Sequence, residues 1–213
     1  MMVCKALKAA AFRTCQTSAL LFAISMVMLA SGCTLTAEDQ RPASDSRSEA
    51  IVVKDVNGKE RRPLAEGDKG TLFFFVLHDC PAANAYAPEM NRIAAQYGAK
   101  GVRTYLVYVE TDLDEAEASR HARQHQIGFP ALMDRHQELV KVTGATISPE
   151  AALVSAEKRV VYHGRIDDRI VAPGQRRVEP TTRDLREALD AMLAGKPVPN
   201  PVTKAVGCYL PVK

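Results

Sequence analysis

The sequence has no tryptophan, no internal repeat and no apolar run long enough to cross a bilayer. A membrane-spanning helix needs about 20 consecutive apolar residues. The apolar stretch from Ala19 to Ala30 is shorter and stops at Ser31-Gly32-Cys33. This pattern favours a cleaved leader over a membrane span. A chain of 213 residues without repeats predicts one globular domain with targeting and tail segments around it.

The chain also has little excess charge of either sign. Its formal net charge is +3, and the three basic residues of the leader, Lys5, Lys8 and Arg13, have no acidic neighbours before Cys33. Removing residues 1–33 therefore brings the net charge of the mature chain to zero. This leaves no basic surface that would indicate nucleic-acid binding.

Residues 1–32 are predicted to be a signal peptide, because a basic segment precedes a short apolar run that ends in small residues. Leu29-Ala30-Ser31-Gly32-Cys33 resembles the lipobox of bacterial lipoproteins, although Ala30 stands where leucine is usual. The resemblance implies that Cys33 is acylated and becomes the first mature residue. An ordinary cleavage site is the alternative. The polar residues 33–50 would form a flexible tether. We expect an exported, membrane-anchored protein facing the periplasm or the cell exterior.

From residue 51 onward, apolar periodicity predicts alternating strands and helices. Thr71 to Leu77 is apolar without alternation, which is typical of a central strand covered on both faces. A helix over 86–97 and a strand over 102–109 complete a βαβ unit. Further predicted elements are an edge hairpin turning at Asn57-Gly58, a helix from Asp112 to Gln126, a hairpin around 156–158 and a final helix opened by Thr181 or Thr182.

This order of elements indicates an α/β domain over residues 51–200 with a mixed sheet and helices on both faces. Residues 201–213 would form a C-terminal tail that carries Cys208. With Cys33 acylated, Cys80 and Cys208 are the two remaining cysteines of the mature chain. In an oxidising compartment this pair could form a disulfide.

Cys80 is the most promising reactive group, because it follows the predicted central strand and precedes the first helix. Unpaired backbone N–H groups at a helix N-terminus favour a thiolate and lower the pKa of a cysteine. Pro81 fits the first helical position, where no N–H is required. The alternative is a buried, inert cysteine.

Several motifs together resemble thioredoxin-fold redoxins of the alkyl hydroperoxide reductase/thiol-specific antioxidant type. They are Asp79 to Asn91, Gly144 to Glu150, Tyr162 to Asp168 and Ala205 to Cys208, within a similarity covering roughly residues 51–210. The resemblance implies a three-layer, thioredoxin-like sandwich. It also implies that Pro149 forms a cis peptide bond and faces Cys80 across a solvent-accessible cleft.

Two departures from these families restrict the chemistry. Dithiol thioredoxins carry Cys-x-x-Cys, whereas Ala83 occupies the second cysteine position here. A typical peroxiredoxin has proline and threonine where this chain has Phe73 and Leu77. Cys208 is a candidate resolving thiol, with a stapling disulfide or a free tail thiol as alternatives. Arg165 is a candidate cation beside the thiolate, or else a surface ion pair with Asp167 or Asp168.

The histidines offer weaker signals. His121 and His125 are spaced for one helix face but lack a third nearby ligand, so a solvated helix is the preferred interpretation. His78 could tune the thiol of Cys80, from which it is separated by one residue. No cofactor and no metal site is expected.

The leading hypothesis is an exported thiol oxidoreductase that acts on protein thiols and disulfides. Cys80 would be the nucleophile, Pro149 would shape the cleft and Cys208 would resolve the intermediate. One alternative is a peroxiredoxin-like thiol peroxidase acting on peroxide. The other is a non-catalytic module that binds a partner or a copper ion, since thiolates suit Cu(I).

Overall fold

The computed structural model describes residues 51–211. The signal peptide, Cys33 and the tether lie outside the described residues. The domain is built around a seven-stranded mixed sheet in the order β2-β1-β5-β4-β3-β7-β8. Its strands are β1 (Val53–Asp55), β2 (Glu60–Arg61), β3 (Gly70–Val76), β4 (Val102–Tyr108), β5 (Ala131–Met133), β7 (Glu150–Ser155) and β8 (Val160–Gly164).

The centre of the sheet is β3, as its unbroken apolar sequence predicts. It pairs in parallel with β4 and antiparallel with β7, and all of its residues are buried. Leu72, Phe74 and Val76 face one apolar cluster, while Phe73 and Phe75 face another. Because both faces are covered, alternation of polar and apolar residues is absent.

Within residues 51–211, four helices cover the sheet: α1 (Pro81–Gly98), α2 (Glu115–Gln124), α3 (Glu138–Thr143) and α4 (Asp184–Leu193). Apolar residues of α1 and α4 pack in the first cluster, and those of α3 pack in the second. The predicted mixed sheet with helices on both faces is therefore confirmed. No helix within residues 51–211 is long and apolar enough to cross a membrane.

Two predicted helix starts are wrong. The N-cap of α2 is Asp114, whose carboxylate accepts a hydrogen bond from the Glu117 N–H at 2.7 Å, and not Asp112. Helix α4 begins at Asp184, later than predicted. The backbone N–H groups of Thr181 and Thr182 donate instead to the buried Asp168 carboxylate, which holds this segment as a loop.

Two small ladders were not predicted. Strands β9 (Ile170–Ala172) and β10 (Gln175–Arg176) form a hairpin after the main sheet. Strands β6 (Ile147–Ser148) and β11 (Cys208–Tyr209) pair antiparallel. The second ladder attaches the C-terminal segment to the loop that precedes β7.

Candidate functional site

Cys80 lies at the junction between β3 and α1, as the sequence predicts. It is the N-cap residue of α1, and Pro81 occupies the first turn. Its carbonyl accepts the Asn84 N–H at 3.0 Å, which begins the helical hydrogen bonding. The Ala83 N–H has no intrahelical acceptor at this end of the helix, and its proximity to the Cys80 sulfur favours the thiolate form.

The Ser148-Pro149 peptide bond is cis, as the family resemblance implies. The Cys80 thiol donates to the Ser148 carbonyl oxygen at a distance of 3.1 Å. The Ser148 hydroxyl accepts the Leu77 N–H at 2.8 Å, so its own hydrogen is available to the Cys80 sulfur. The cis-proline segment and the reactive cysteine are thus in direct contact.

Cys208 lies beside Cys80, although the two are far apart in sequence. In the β6–β11 ladder Cys208 is the direct partner of Ser148, the residue whose carbonyl contacts the Cys80 thiol. The Cys208 thiol is within hydrogen-bonding reach of the Cys80 sulfur. Both cysteines are free thiols. The structure therefore brings together Cys80, Pro149 and Cys208.

Gly207 permits this close approach. A Cβ atom at position 207 would lie 1.9 Å from the Ser148 carbonyl oxygen, a distance that no side chain tolerates. Glycine is consequently required for β11 to reach β6. Gly207 and Ser148 are the site residues whose contributions the sequence analysis missed, and the Gly207-Cys208 dipeptide was the available signal.

The site shifts the pKa values of the two thiols in opposite directions. Burial raises the pKa of Cys80, but hydrogen bonds from Cys208, the Ala83 N–H and Ser148 outweigh burial, and the net result is a lowered pKa. The pKa of Cys208 is raised to about 11, first because its thiol donates to Cys80 and then because of burial and the Cys80 charge. Of the two thiols, Cys80 is therefore the one that more readily becomes a thiolate, and Cys208 is the one that more readily stays protonated.

Solvent access differs from the expectation. Cys80 has no exposed surface, so the predicted access of solvent to its sulfur is wrong. Cys80 belongs to an apolar cluster against which Cys208 packs, and Cys208 is only partly buried. The strand that carries the second cysteine covers the first.

Arg165 forms a bidentate ion pair with Asp184, at 2.8 and 3.1 Å. The predicted pairing with Asp167 or Asp168 is wrong, because these carboxylates pair with Arg169 and Arg177 respectively. The pairing with Asp184 joins the end of β8 to the start of α4. A role of Arg165 at the thiolate stays a prediction.

His78 and Glu110 form a polar pair next to Cys80. The Glu110 carboxylate accepts the His78 backbone N–H at 2.7 Å and lies 2.9 Å from His78 Nδ1. Burial lowers the pKa of His78, but the hydrogen bond and charge of Glu110 outweigh it and raise the pKa. One atom of Glu110, Oε2, is buried and has no hydrogen-bond partner.

His121 continues this network. Its Nε2 is 2.8 Å from the Asn84 Oδ1, and its Nδ1 is 2.7 Å from the Tyr108 hydroxyl. Burial, together with the nearby His125 and His78, lowers the pKa of His121 to about 4. His121 is thus a neutral, hydrogen-bonded side chain and not a solvated one. Its ring centroid lies 4.5 Å from that of His125, with the two rings tilted by 43°.

Among the described residues, one cluster offers three donors for a metal ion: His78, Asp79 and Glu110, with ligand atoms within 4.8 Å of one another. The histidine Nδ1 of this cluster is already engaged by Glu110. The geometry is that of an ion pair at the end of a strand.

Comparisons with known proteins identify the family and the fold of this chain. The AhpC/TSA family model matches residues 48–163, more than half of the chain. The thiol-disulfide oxidoreductase ResA of Bacillus thuringiensis is 24% identical over 111 residues, which are 52% of this chain and 63% of ResA. The chain thus matches less than two thirds of the length of that relative.

Solved structures share the fold. A crystal structure of a conserved protein from Geobacillus kaustophilus has 26% identity and a TM-score of 0.66, over 76% of this chain and 88% of the other. A Chlorobium tepidum protein assigned as DsbE, a thiol:disulfide interchange protein, has 17% identity and a TM-score of 0.53, over 67% and 92%. The domain is thioredoxin-like, and the chain belongs to the AhpC/TSA family.

Proposed function

We propose that this protein is a thiol-disulfide oxidoreductase whose redox pair is Cys80 and Cys208. The observation that supports the proposal is the position of the Cys208 thiol, which lies within hydrogen-bonding reach of the Cys80 sulfur. Both cysteines also contact Ser148. A thiolate beside a protonated thiol is the arrangement from which an intramolecular disulfide forms.

Exchange requires both sulfurs of the pair. In the reducing direction, one of the two cysteines, as a thiolate, attacks one sulfur of a substrate disulfide, and the other substrate sulfur leaves as a thiolate. The second cysteine then loses its proton and attacks the protein sulfur of the mixed disulfide, releasing the second substrate thiol. The substrate gains two electrons and the protein gains the Cys80–Cys208 disulfide. Cys208 thus supplies the second sulfur, because Ala83 occupies the position of the second cysteine in the first turn of α1.

Pro149 and Ser148 support this chemistry by position. Pro149 is buried next to the sulfur pair and shapes the wall of the site. Ser148 presents its carbonyl to the Cys80 thiol and its hydroxyl to the Cys80 thiolate, so it offers a hydrogen bond to either protonation state. Both residues have a positioning role.

Protein thiols and disulfides outside the cytoplasm are the proposed substrates. The activity named for ResA supports the exchange chemistry, and a cysteine pair that can be oxidised suits an oxidising compartment. The basic-then-apolar leader and the lipobox-like Leu29 to Cys33 support export and anchoring through a lipid on Cys33. The mass of the mature N-terminal peptide would reveal the lipid.

The test is a peptide map of protein treated with oxidised glutathione and kept under non-reducing conditions. A Cys80–Cys208 peptide that has lost the mass of two hydrogens is expected. Cys80→Ser should abolish the reduction of insulin disulfides and the oxidation of reduced ribonuclease. Full activity in that variant, or free thiols throughout the map, contradicts the proposal.

A peroxidase is the second candidate, favoured by family membership and by the lowered pKa of the Cys80 thiol. Peroxide would oxidise the thiolate to a sulfenic acid, and Cys208 would condense with it to the same disulfide and release water. Adding hydrogen peroxide to Cys208→Ser separates the two functions. A gain of one oxygen on Cys80 at micromolar peroxide supports the peroxidase.

Copper binding is the third candidate, because two adjacent sulfurs suit Cu(I). Titration of the reduced protein with Cu(I) against a competing chelator tests it. Loss of binding in Cys208→Ser and in Cys80→Ser alike is the expected signature of a two-sulfur site.

A further inference from the structure

The burial of the two sulfurs is unequal, and this decides which of them a substrate can reach. Cys80 is completely buried, whereas Cys208 keeps part of its surface exposed. Thiol-disulfide exchange needs the attacking sulfur to contact the sulfur that it attacks. A Cys80–Cys208 disulfide with this same burial would let an incoming thiolate reach Cys208 and not Cys80.

A groove borders Cys208 on its accessible side. It has a volume of about 370 Å³ and lies between the first turns of α1 and the β9–β10 hairpin. Pro81 and Ala85 contribute one wall, Ile170 and Ala172 the other, and Val206 to Cys208 close the end. Most of these side chains are apolar, so the groove suits an apolar side chain of a bound segment.

Arg176 gives the groove a charge. It lines the groove, is exposed, and has no acidic partner among residues 51–211. Its neighbour Arg177 is paired with Asp168, and Arg169 is paired with Asp167. The unpaired guanidinium next to an apolar groove is complementary to an acidic residue close to an apolar one.

We propose that substrate thiols attack Cys208, not Cys80, and that the groove selects an extended segment whose cysteine is flanked by an apolar and an acidic residue. This inference rests on the proposed function and deepens it. In this reaction the protein donates its disulfide to the substrate and is itself reduced. It also reverses the order of the two cysteines, since Cys208 forms the mixed disulfide and Cys80 is the leaving group.

A substrate thiolate bonds to the Cys208 sulfur, the Cys80–Cys208 bond breaks, and Cys80 leaves as a thiolate. A second substrate thiolate then attacks the substrate sulfur of the mixed disulfide, and Cys208 leaves and takes up a proton. The substrate dithiol loses two electrons to the cysteine pair. Exchange with the disulfide of a partner protein restores the Cys80–Cys208 bond.

The leaving group supports this direction. Exchange is faster when the departing thiolate is more stable. The helix N-terminus and Ser148 stabilise the departing Cys80 thiolate while Cys208 is bonded to the substrate, and the Cys208 thiol adds its hydrogen bond once the dithiol form is complete. A stabilised dithiol form makes the corresponding disulfide a stronger oxidant.

The test uses the oxidised protein and a synthetic peptide that carries one cysteine between a leucine and an aspartate. The reaction is quenched early with acid, free thiols are alkylated, and the adduct is located by peptide mapping. The expected result is peptide on Cys208 and alkylation on Cys80. Peptide on Cys80 with Cys208 alkylated overturns the inference and leaves the proposed function standing. If the oxidised protein contains no Cys80–Cys208 bridge, both fall.

The groove is tested with matched variants. Ala85→Leu fills the groove and should slow adduct formation about tenfold, whereas Ala95→Leu, on a distant exposed turn of α1, should leave it unchanged. Arg176→Glu should shift the preference from an aspartate peptide to a lysine peptide about fivefold. Equal rates for all peptides and variants would show that any small thiol reaches Cys208 without the groove. That result would overturn the proposed selection of substrates by the groove.

Discussion

Cys208 is the direct strand partner of Ser148, and the carbonyl of Ser148 lies 3.1 Å from the Cys80 sulfur. This relationship makes the last strand of the chain part of the reactive site. It also explains why a first helical turn without a second cysteine can be compatible with dithiol chemistry, because β11 supplies the second sulfur.

The first prediction concerns the approach of β11. Gly207→Ala places a Cβ against the Ser148 carbonyl, so β11 must move away and carry Cys208 with it. We expect oxidation to form the Cys80–Cys208 disulfide about tenfold more slowly or not at all, measured by non-reducing peptide mapping. Gly98→Ala is the control, because a Cβ at position 98 meets no atom within 4 Å. Normal disulfide formation in Gly207→Ala would contradict the assigned role of β11.

The second prediction concerns the acidity of Cys80. Cys208→Ala removes a hydrogen bond that stabilises the thiolate, so the pKa of Cys80 should rise. The thiolate absorbance in the ultraviolet would then appear at higher pH. Cys208→Ser retains an O–H donor and should preserve most of the lowering. An unchanged titration in Cys208→Ala would show that the helix N-terminus and Ser148 set the pKa without Cys208.

The third prediction concerns His78. Glu110→Gln removes the charge that raises the pKa of His78, so this pKa should fall, as measured by NMR titration. A raised histidine pKa adds stability below its unfolded value of about 6.5, and the contribution is lost as pH rises through the folded pKa. The wild type should therefore gain stability over Glu110→Gln as pH falls from about 8 to about 6.

The size of this effect is limited by solvent. The His78 side chain is 34% exposed, so the pH-dependent part should be about 1 kcal/mol or less. Glu117→Gln is the control, because its carboxylate is 3.9 Å from His78 and largely exposed. If both variants give the same His78 titration, Glu110 is not the residue that raises the pKa.

The fourth prediction concerns Arg165. Arg165→Ala leaves the buried Asp184 carboxylate without its cation, so the free energy of unfolding should fall by about 1–3 kcal/mol. Asp184→Asn should cause a similar loss, since each change breaks the same pair. The pKa of Cys80 should be unchanged in both variants. A raised Cys80 pKa in Arg165→Ala, with stability intact, would instead support a role of Arg165 at the thiolate.

Much of the fold could be predicted because its signals are local. The apolar sequence of β3, the proline in the first turn of α1 and the Asn57-Gly58 turn each constrain their own neighbourhood. The start of α4 could not be found in this way. Threonine is a common helix-cap residue, but the N–H and hydroxyl of Thr181 donate hydrogen bonds to Asp168, which lies in the segment after β8.

The sequence alone determined where the reactive cysteine stands, because a buried strand followed by Cys80-Pro81 creates a helix N-terminus from local preferences. Only the tertiary structure decided that Cys208 lies beside it and that Cys80 is closed to solvent while Cys208 is not. The physical reason is that both features depend on contacts between residues far apart in the chain. These features are the pairing of β6 with β11 and the burial of Cys80. No periodicity or local propensity records such contacts.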